Sequence, residues 1–144
     1  MYVEPTAHPI DSTTGDMGAA TGRYEKRLRD LAGVYLDDAA FAKAAGLMLM
    51  ENPEGETRIL EIIPRVALYV PPLWIHRSVN VGDTPLVMSF FYPNDSGQDY
   101  DIIARSRGMA TRIMADGDGW KAVPNPTYIP RSKAEIARVL ETQD

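Results

Sequence analysis

Between Gly46 and Tyr92 the chain is broken into strand-like runs of five to seven residues, punctuated by Pro, Gly, Asn and Asp. The runs are "GLMLM" (Gly46 to Met50), "TRILEII" (Thr57 to Ile63), "VALYV" (Val66 to Val70), "HRSVNV" (His76 to Val81) and "LVMSFFY" (Leu86 to Tyr92). Alternation with period two places successive side chains on opposite faces, which suits strands. Many short strands with Gly and Pro turns point to a β-sandwich or β-barrel.

The flanks read differently. "TTGDMGAATG" (Thr13 to Gly22) lacks the Gly-Lys-Ser/Thr ending of a phosphate loop and predicts a flexible or turn-rich arm. "YEKRLRDLAG" (Tyr24 to Gly33) predicts a short helical turn, and "DDAAFAKAA" (Asp37 to Ala45) a helix with acidic residues at its start. "YDIIARSR" (Tyr100 to Arg107) predicts one or two helical turns. "ATRIMADGDGWKAV" predicts a hairpin around Asp116-Gly117-Asp118-Gly119; the ligand spacing of a calcium loop is missing. In the tail, Ser132 and Glu135 form a Ser-x-x-Glu capping box ahead of an apolar stripe of Ile136, Val139 and Leu140.

Length and charge narrow the function. One domain is expected over residues 1–144: an N-terminal arm and helix over 1–45, a β core over 46–127 and a C-terminal helix over 128–144. The net charge of −5 and the lack of a basic stripe argue against a nucleic-acid partner. No apolar run is long enough to span a membrane. There are no cysteines, so disulfides, thiolate metal sites and thiol catalysis are excluded. With no signal-like segment in "MYVEPTAHPI", a cytoplasmic protein is expected.

The chain has two histidines, His8 and His76. His8 reads as an exposed arm residue. His76 opens a strand just after a corner that Pro71 and Pro72 impose, since neither can donate to a sheet ladder. Taken alone, it reads as a hydrogen-bonded core histidine or as a metal ligand.

The surrounding fifty residues resemble the cupin-type glucose-6-phosphate isomerases. The likeness is carried by Pro53-Glu54-Gly55, Tyr69-Val70-Pro71-Pro72, Trp74, His76-Arg77, Val79-Asn80, Gly82-Asp83, Pro85, Tyr92-Pro93, Gly97 and Asp99-Tyr100. "MYVEP", "KRLRDLAGVYLDD" and Asn125-Pro126 extend it to about Thr127. The resemblance implies a mainly β, cupin-like (jelly-roll) barrel or partial barrel with an N-terminal arm, short helices and a C-terminal helix. It also implies a homodimer. The implied activity is interconversion of glucose 6-phosphate and fructose 6-phosphate, by proton or hydride movement between C1 and C2. A divalent metal ion (iron, manganese, nickel or zinc) would polarise the sugar oxygens. By resemblance His76 is the metal-binding histidine of the second cupin motif, and Tyr92 and Tyr100 match tyrosines near the substrate. Read as residues alone, both tyrosines equally fit packing at a barrel rim.

The likeness is interrupted where "FAKAA" runs directly into "GLMLM". The family places its first cupin motif there, with two histidines and the metal-bound glutamate. That glutamate has no counterpart, and the catalytic residue is not identified. Two further departures are Gln98 and Asp101 in "GQDYD", where the family reads "GHDYG", and Arg65 after Pro64. Metal sites usually take three or more protein ligands. Help from Asp95, Asp99 or Glu61 has no support in their spacing. Two readings stay open: an isomerase completed by ligands from elsewhere, and a shortened, catalytically inactive cupin that binds a sugar phosphate or serves in dimerisation.

Overall fold

The computed structural model describes residues 2–9, 45–64, 66–88, 90–94, 97 and 99–141. The helices expected over 24–33 and 37–45 and the Gly-rich stretch over 13–22 lie outside these, apart from Ala45. The described residues contain seven strands: β1 (Thr6–Pro9), β2 (Gly46–Glu51), β3 (Thr57–Ile62), β4 (Val66–Tyr69), β5 (Ile75–Asn80), β6 (Thr111–Asp116) and β7 (Gly119–Pro124). Two helices follow the main strands, α1 (Asp101–Arg105) and α2 (Lys133–Glu141). The chain is mainly β, the class that its punctuated apolar runs predict.

Among the described residues all pairings are antiparallel, in three sheets: β1-β4, β3-β2-β5 and β6-β7. β2 is the hub. Met50 lies opposite both Arg58 and His76, and Met48 opposite Leu60 and Ser78. Gly46, Met48 and Met50 therefore share one face with His76, Ser78 and Asn80. Leu47, Leu49 and Glu51 share the other with Arg77 and Val79. Every residue of β2 is buried, so both faces are covered.

On the first face Met48, Met50 and Trp74 form the core, with Leu60, Ile62, Leu68, Val70 and Met88 against it. Tyr2 joins this cluster. Trp74 Nε1 donates to the carbonyl of Val3 at 2.8 Å, and Arg58 pairs with Glu4 through two hydrogen bonds of 2.8 and 3.1 Å. The start of the chain is thus fastened to the sheet, and Thr6–Pro9 pair with β4 rather than forming only an arm. Burial, with Glu54 and Glu56 nearby, raises the Tyr2 phenol above its usual 10.0.

Turns follow from particular residues. Asn52 is fully buried; its Oδ1 accepts from the amides of Glu54 and Glu56, both at 3.0 Å, and its Nδ2 donates to Glu56 at 2.8 Å. Gly55 closes this turn at φ +90, and a Cβ there would meet the Tyr128 hydroxyl at 3.0 Å. In "PPLW" the Trp74 amide reaches the Pro71 carbonyl at 3.4 Å, with Leu73 at φ +75. That is the positive φ of a type II turn, with proline at its second position. The β6–β7 hairpin turns on Gly117 at φ +60, with Asp116 opposite Gly119.

One expected strand differs. "LVMSFFY" has no strand among its described residues. Leu86, Met88 and Phe90 still face one way, but among the described residues no strand pairs with the segment to complete a ladder, and period two does not supply one.

On the second face of β2, Glu51 and Arg131 form an ion pair at 2.9 Å with both side chains almost wholly buried. The other Glu51 oxygen accepts from the amide of Ala110, and Arg131 Nη1 donates to the carbonyls of Asn52 and Pro53 at 3.3 and 3.2 Å. The Tyr128 hydroxyl lies 3.5 Å from Glu51 Oε1. Burial pushes its phenol up from 10.0, the Glu51 carboxylate adds to the rise, and Arg131 opposes it. Beyond this cluster, Ser132 and Glu135 form the expected capping box: Glu135 donates its amide to Ser132 Oγ at 3.2 Å, and the Ser132 amide donates to the Glu135 carboxylate at 2.9 Å. No residue of α2 is buried, so its apolar stripe is only partly covered.

Two outcomes are expected. Arg131→Met leaves the Glu51 carboxylate buried without its counter-charge and should cost ~3–5 kcal/mol in urea denaturation. The Ser132 bonds lower the Glu135 pKa below its ordinary 4.5. A lowered folded-state pKa stabilises above the unfolded value and loses that contribution as pH falls through the folded one. The helical signal of α2 should therefore weaken below about pH 4.5, and Ser132→Ala should weaken it already at neutral pH, both read by circular dichroism.

Candidate functional site

β5 places the histidine. The Pro71–Trp74 turn ends β4 and feeds β5 back along β2, with His76 opposite Met50. His76 is exposed and shares its face with Ser78 and Asn80. Beside that face lies an open groove of about 460 Å³ lined by Ser78, Asn80, Leu86, Met88 and Phe90. The size suits a small metabolite. Ser78, Leu86, Met88 and Phe90 were not singled out from the sequence. The period two of "LVMSFF", which puts positions 86, 88 and 90 on one side, is a signal for the last three.

Asn80 has a structural task. Its Nδ2 donates to the Thr84 carbonyl at 2.8 Å, and its Oδ1 accepts from the Gly82 amide at 3.0 Å. The Val81 and Gly82 amides also reach the Ala45 carbonyl, and a Cβ at Gly82 would sit 3.3 Å from the Ala45 nitrogen. The Asn-Val-Gly sequence therefore builds the turn that ends β5.

The other residues singled out from sequence do not gather at His76. Glu61 lies opposite Leu47, which puts it on the far face of the sheet. Asp99 Oδ1 accepts from the amides of Asp101 and Ile102 at 2.9 and 3.4 Å and so caps α1. Asp95, Gln98 and Arg65 lie outside the described residues. Tyr92 and Tyr100 are 68% and 73% exposed, so neither is buried in a rim contact. His8 is exposed as expected, but it sits in β1, its Nε2 2.7 Å from Thr6 Oγ1.

Among the described residues no three His, Cys, Asp or Glu side chains are grouped closely enough to hold a metal ion. The described residues therefore do not by themselves fit the divalent metal that the sequence likeness implies. His76 contributes an imidazole on an accessible face, and its neighbours there are a hydroxyl, an amide and thioethers. None of the helices in the described residues is long and apolar enough to cross a membrane.

Comparison with known proteins adds an independent line. The family profile described as "Glucose-6-phosphate isomerase (GPI)" matches residues 40–131. A glucose-6-phosphate isomerase of Sinorhizobium medicae is 41% identical, with 93% of this chain and 92% of that protein covered. Its alignment runs over 197 positions, more than the 144 residues of this chain, so stretches of the relative have no counterpart here. The glucose-6-phosphate isomerase of Pyrococcus abyssi is 39% identical over 107 residues, covering 74% of this chain and 53% of that protein. That of Thermococcus litoralis is 38% identical over 108 residues, with the same coverage.

The two roles along β5 separate in mutants. Asn80→Ala should cost about 1–2 kcal/mol in urea denaturation through the lost turn bonds. His76→Ala, at an exposed position, should stay within ~0.5 kcal/mol of the parent.

Proposed function

The chain belongs to the cupin-type glucose-6-phosphate isomerase family, and from that membership we propose that it interconverts glucose 6-phosphate and fructose 6-phosphate. The observation that carries this reading is the family match over 40–131, which includes His76, Tyr92 and Tyr100. The sugar phosphate binds along the His76 face of β5, in the groove of Ser78, Asn80, Leu86, Met88 and Phe90. Ser78 supplies a hydroxyl for a sugar oxygen, and Met88 and Phe90 exclude water from one side of it. Tyr92 and Tyr100 contact the substrate through their phenols.

His76 is the described side chain suited to a divalent metal (iron, manganese, nickel or zinc), which when bound would polarise a sugar oxygen. The further ligands come from beyond the described residues or from a second copy of the chain. A homodimer fits the exposed Phe90, Phe91 and Tyr92 and the second edge of β5, which has no ladder partner among the described residues. The protein acts in the cytoplasm, in glycolysis or gluconeogenesis.

A second reading is favoured by two observations: the relative's alignment is longer than this chain, and no metal-holding cluster is found among the described residues. In that reading the chain is a shortened cupin that binds a sugar phosphate or serves in dimerisation without turning substrate over.

Purified protein supplied with each divalent metal in turn should convert fructose 6-phosphate to glucose 6-phosphate in a coupled assay. A chelator should abolish turnover, and His76→Ala should lower kcat/KM by ~100-fold or more, about 2.7 kcal/mol in the barrier. Absence of turnover with every metal, with sugar-phosphate binding unaffected by His76→Ala, would select the second reading.

A further inference from the structure

The face of the sheet turned away from His76 carries a second cleft, of about 380 Å³, between β2 and β5 on one side and the β6–β7 hairpin on the other. Arg77 from β5, Arg107 from the turn after α1 and Arg112 from β6 all line it. Among the described residues no Asp or Glu lines it. In a chain with 20 acidic and 15 basic residues, three guanidinium groups around one acid-free cleft is an uneven distribution. Arg112 Nη2 donates to Thr127 Oγ1 at 3.3 Å, and among the described residues neither Arg77 nor Arg107 is in an ion pair.

Arg107 adds a separate observation. It holds φ +57, a conformation that non-glycine residues rarely adopt, and Gly108 follows at φ +98. The Arg107 amide donates to Ala104 at 3.2 Å, and its carbonyl accepts from Asn125 Nδ2 at 3.0 Å. Asn125 is buried and also donates to the Met109 carbonyl at 2.9 Å, so the backbone of this turn is held from two sides. A glycine would occupy position 107 with less strain. An arginine held there projects from a fixed backbone into the cleft, and strained positions of this kind tend to collect at functional sites.

We propose that this cleft binds a phosphate anion, either free inorganic phosphate or the phosphoryl end of a phosphorylated metabolite, at a site distinct from the His76 face. Guanidinium groups present paired donors that match phosphate oxygens, and they keep their charge at any physiological pH. Thr111, also in the lining, has its hydroxyl 3.0 Å from Thr57 Oγ1, so the arginines supply the principal contacts. The site is independent of the isomerase reading, because it uses the opposite face of β5.

The test is calorimetric titration of the full chain with inorganic phosphate and, separately, with glucose 6-phosphate. Saturable phosphate binding is expected, weakening as ionic strength rises. Arg107→Gly and Arg77→Gln should each weaken it about tenfold or more, the loss of one charge-assisted contact. Arg107→Gly also relieves the positive φ, so it should melt no lower than the parent, which separates lost binding from lost folding. His76→Ala should leave the inorganic phosphate affinity within about twofold of the parent. In the His76→Ala protein, tighter binding of inorganic phosphate would identify the free anion as the ligand, and tighter binding of glucose 6-phosphate the carried one. No saturable phosphate binding by the parent, or an affinity within about twofold in both arginine variants, would overturn the proposal.

Discussion

A single buried ion pair ties the two halves of the described chain together. Glu51 ends β2, the strand that both neighbours pair with, and Arg131 lies eighty residues later, beyond the last hairpin. Taking two charges out of water is costly, and here the cost is offset by satisfying other groups as well. Glu51 accepts the Ala110 amide and so holds the entrance to β6. Arg131 donates to the carbonyls of Asn52 and Pro53 and so holds the turn from β2 to β3. Tyr128 stands against both charged groups and fills the space over Gly55. Because the hairpin is anchored to β2 through these contacts, the outer face of β5 becomes one wall of a cleft.

β5 consequently presents two chemistries, one on each face. One face carries His76, Ser78 and Asn80 next to a groove of apolar and aromatic side chains. The other carries Arg77 and Val79 beneath Arg112 of the hairpin and Arg107 of the turn before it. Alternation along a strand separates the two by construction, since neighbouring residues cannot share a face. A single-residue slip of β5 against β2 would exchange them. That register is held at one end by the Pro71–Trp74 turn and at the other by the bonds of Asn80 to Gly82 and Thr84.

Much of this was legible in the sequence because it rests on local rules. The period-two runs at 46–50, 57–63, 66–70 and 76–81 became β2 to β5 to within a residue or two. The Ser132–Glu135 box and the Gly117 hairpin obey short-range geometry, and both formed as expected. What was not legible depends on distant partners. "LVMSFFY" has strand periodicity, but a strand also needs a ladder. Thr6–Pro9 pair with β4 because Glu4, Val3 and Tyr2 meet Arg58, Trp74 and the methionine core, all more than forty residues away. Nor could Glu51 be told from an ordinary charged residue at a strand end before Arg131 was seen beside it. The family resemblance was readable because His76, Asn80, Gly82 and the Pro-Pro corner are close in sequence, whereas the arginines of the outer cleft are brought together only by folding.

The claim on which the functional reading most depends is that a sugar phosphate seats on the His76 face of β5. Methionine methyl signals report this directly, since Met48 and Met88 lie on that face and Met114 lies in the outer cleft. Titration of methyl-labelled protein with fructose 6-phosphate should shift the Met88 and Met48 resonances in a saturable way, and the shifts should be reduced in His76→Ala. If both signals stay unmoved at saturating fructose 6-phosphate, the sugar does not bind there, and the assignment of the His76 face as the substrate site is wrong.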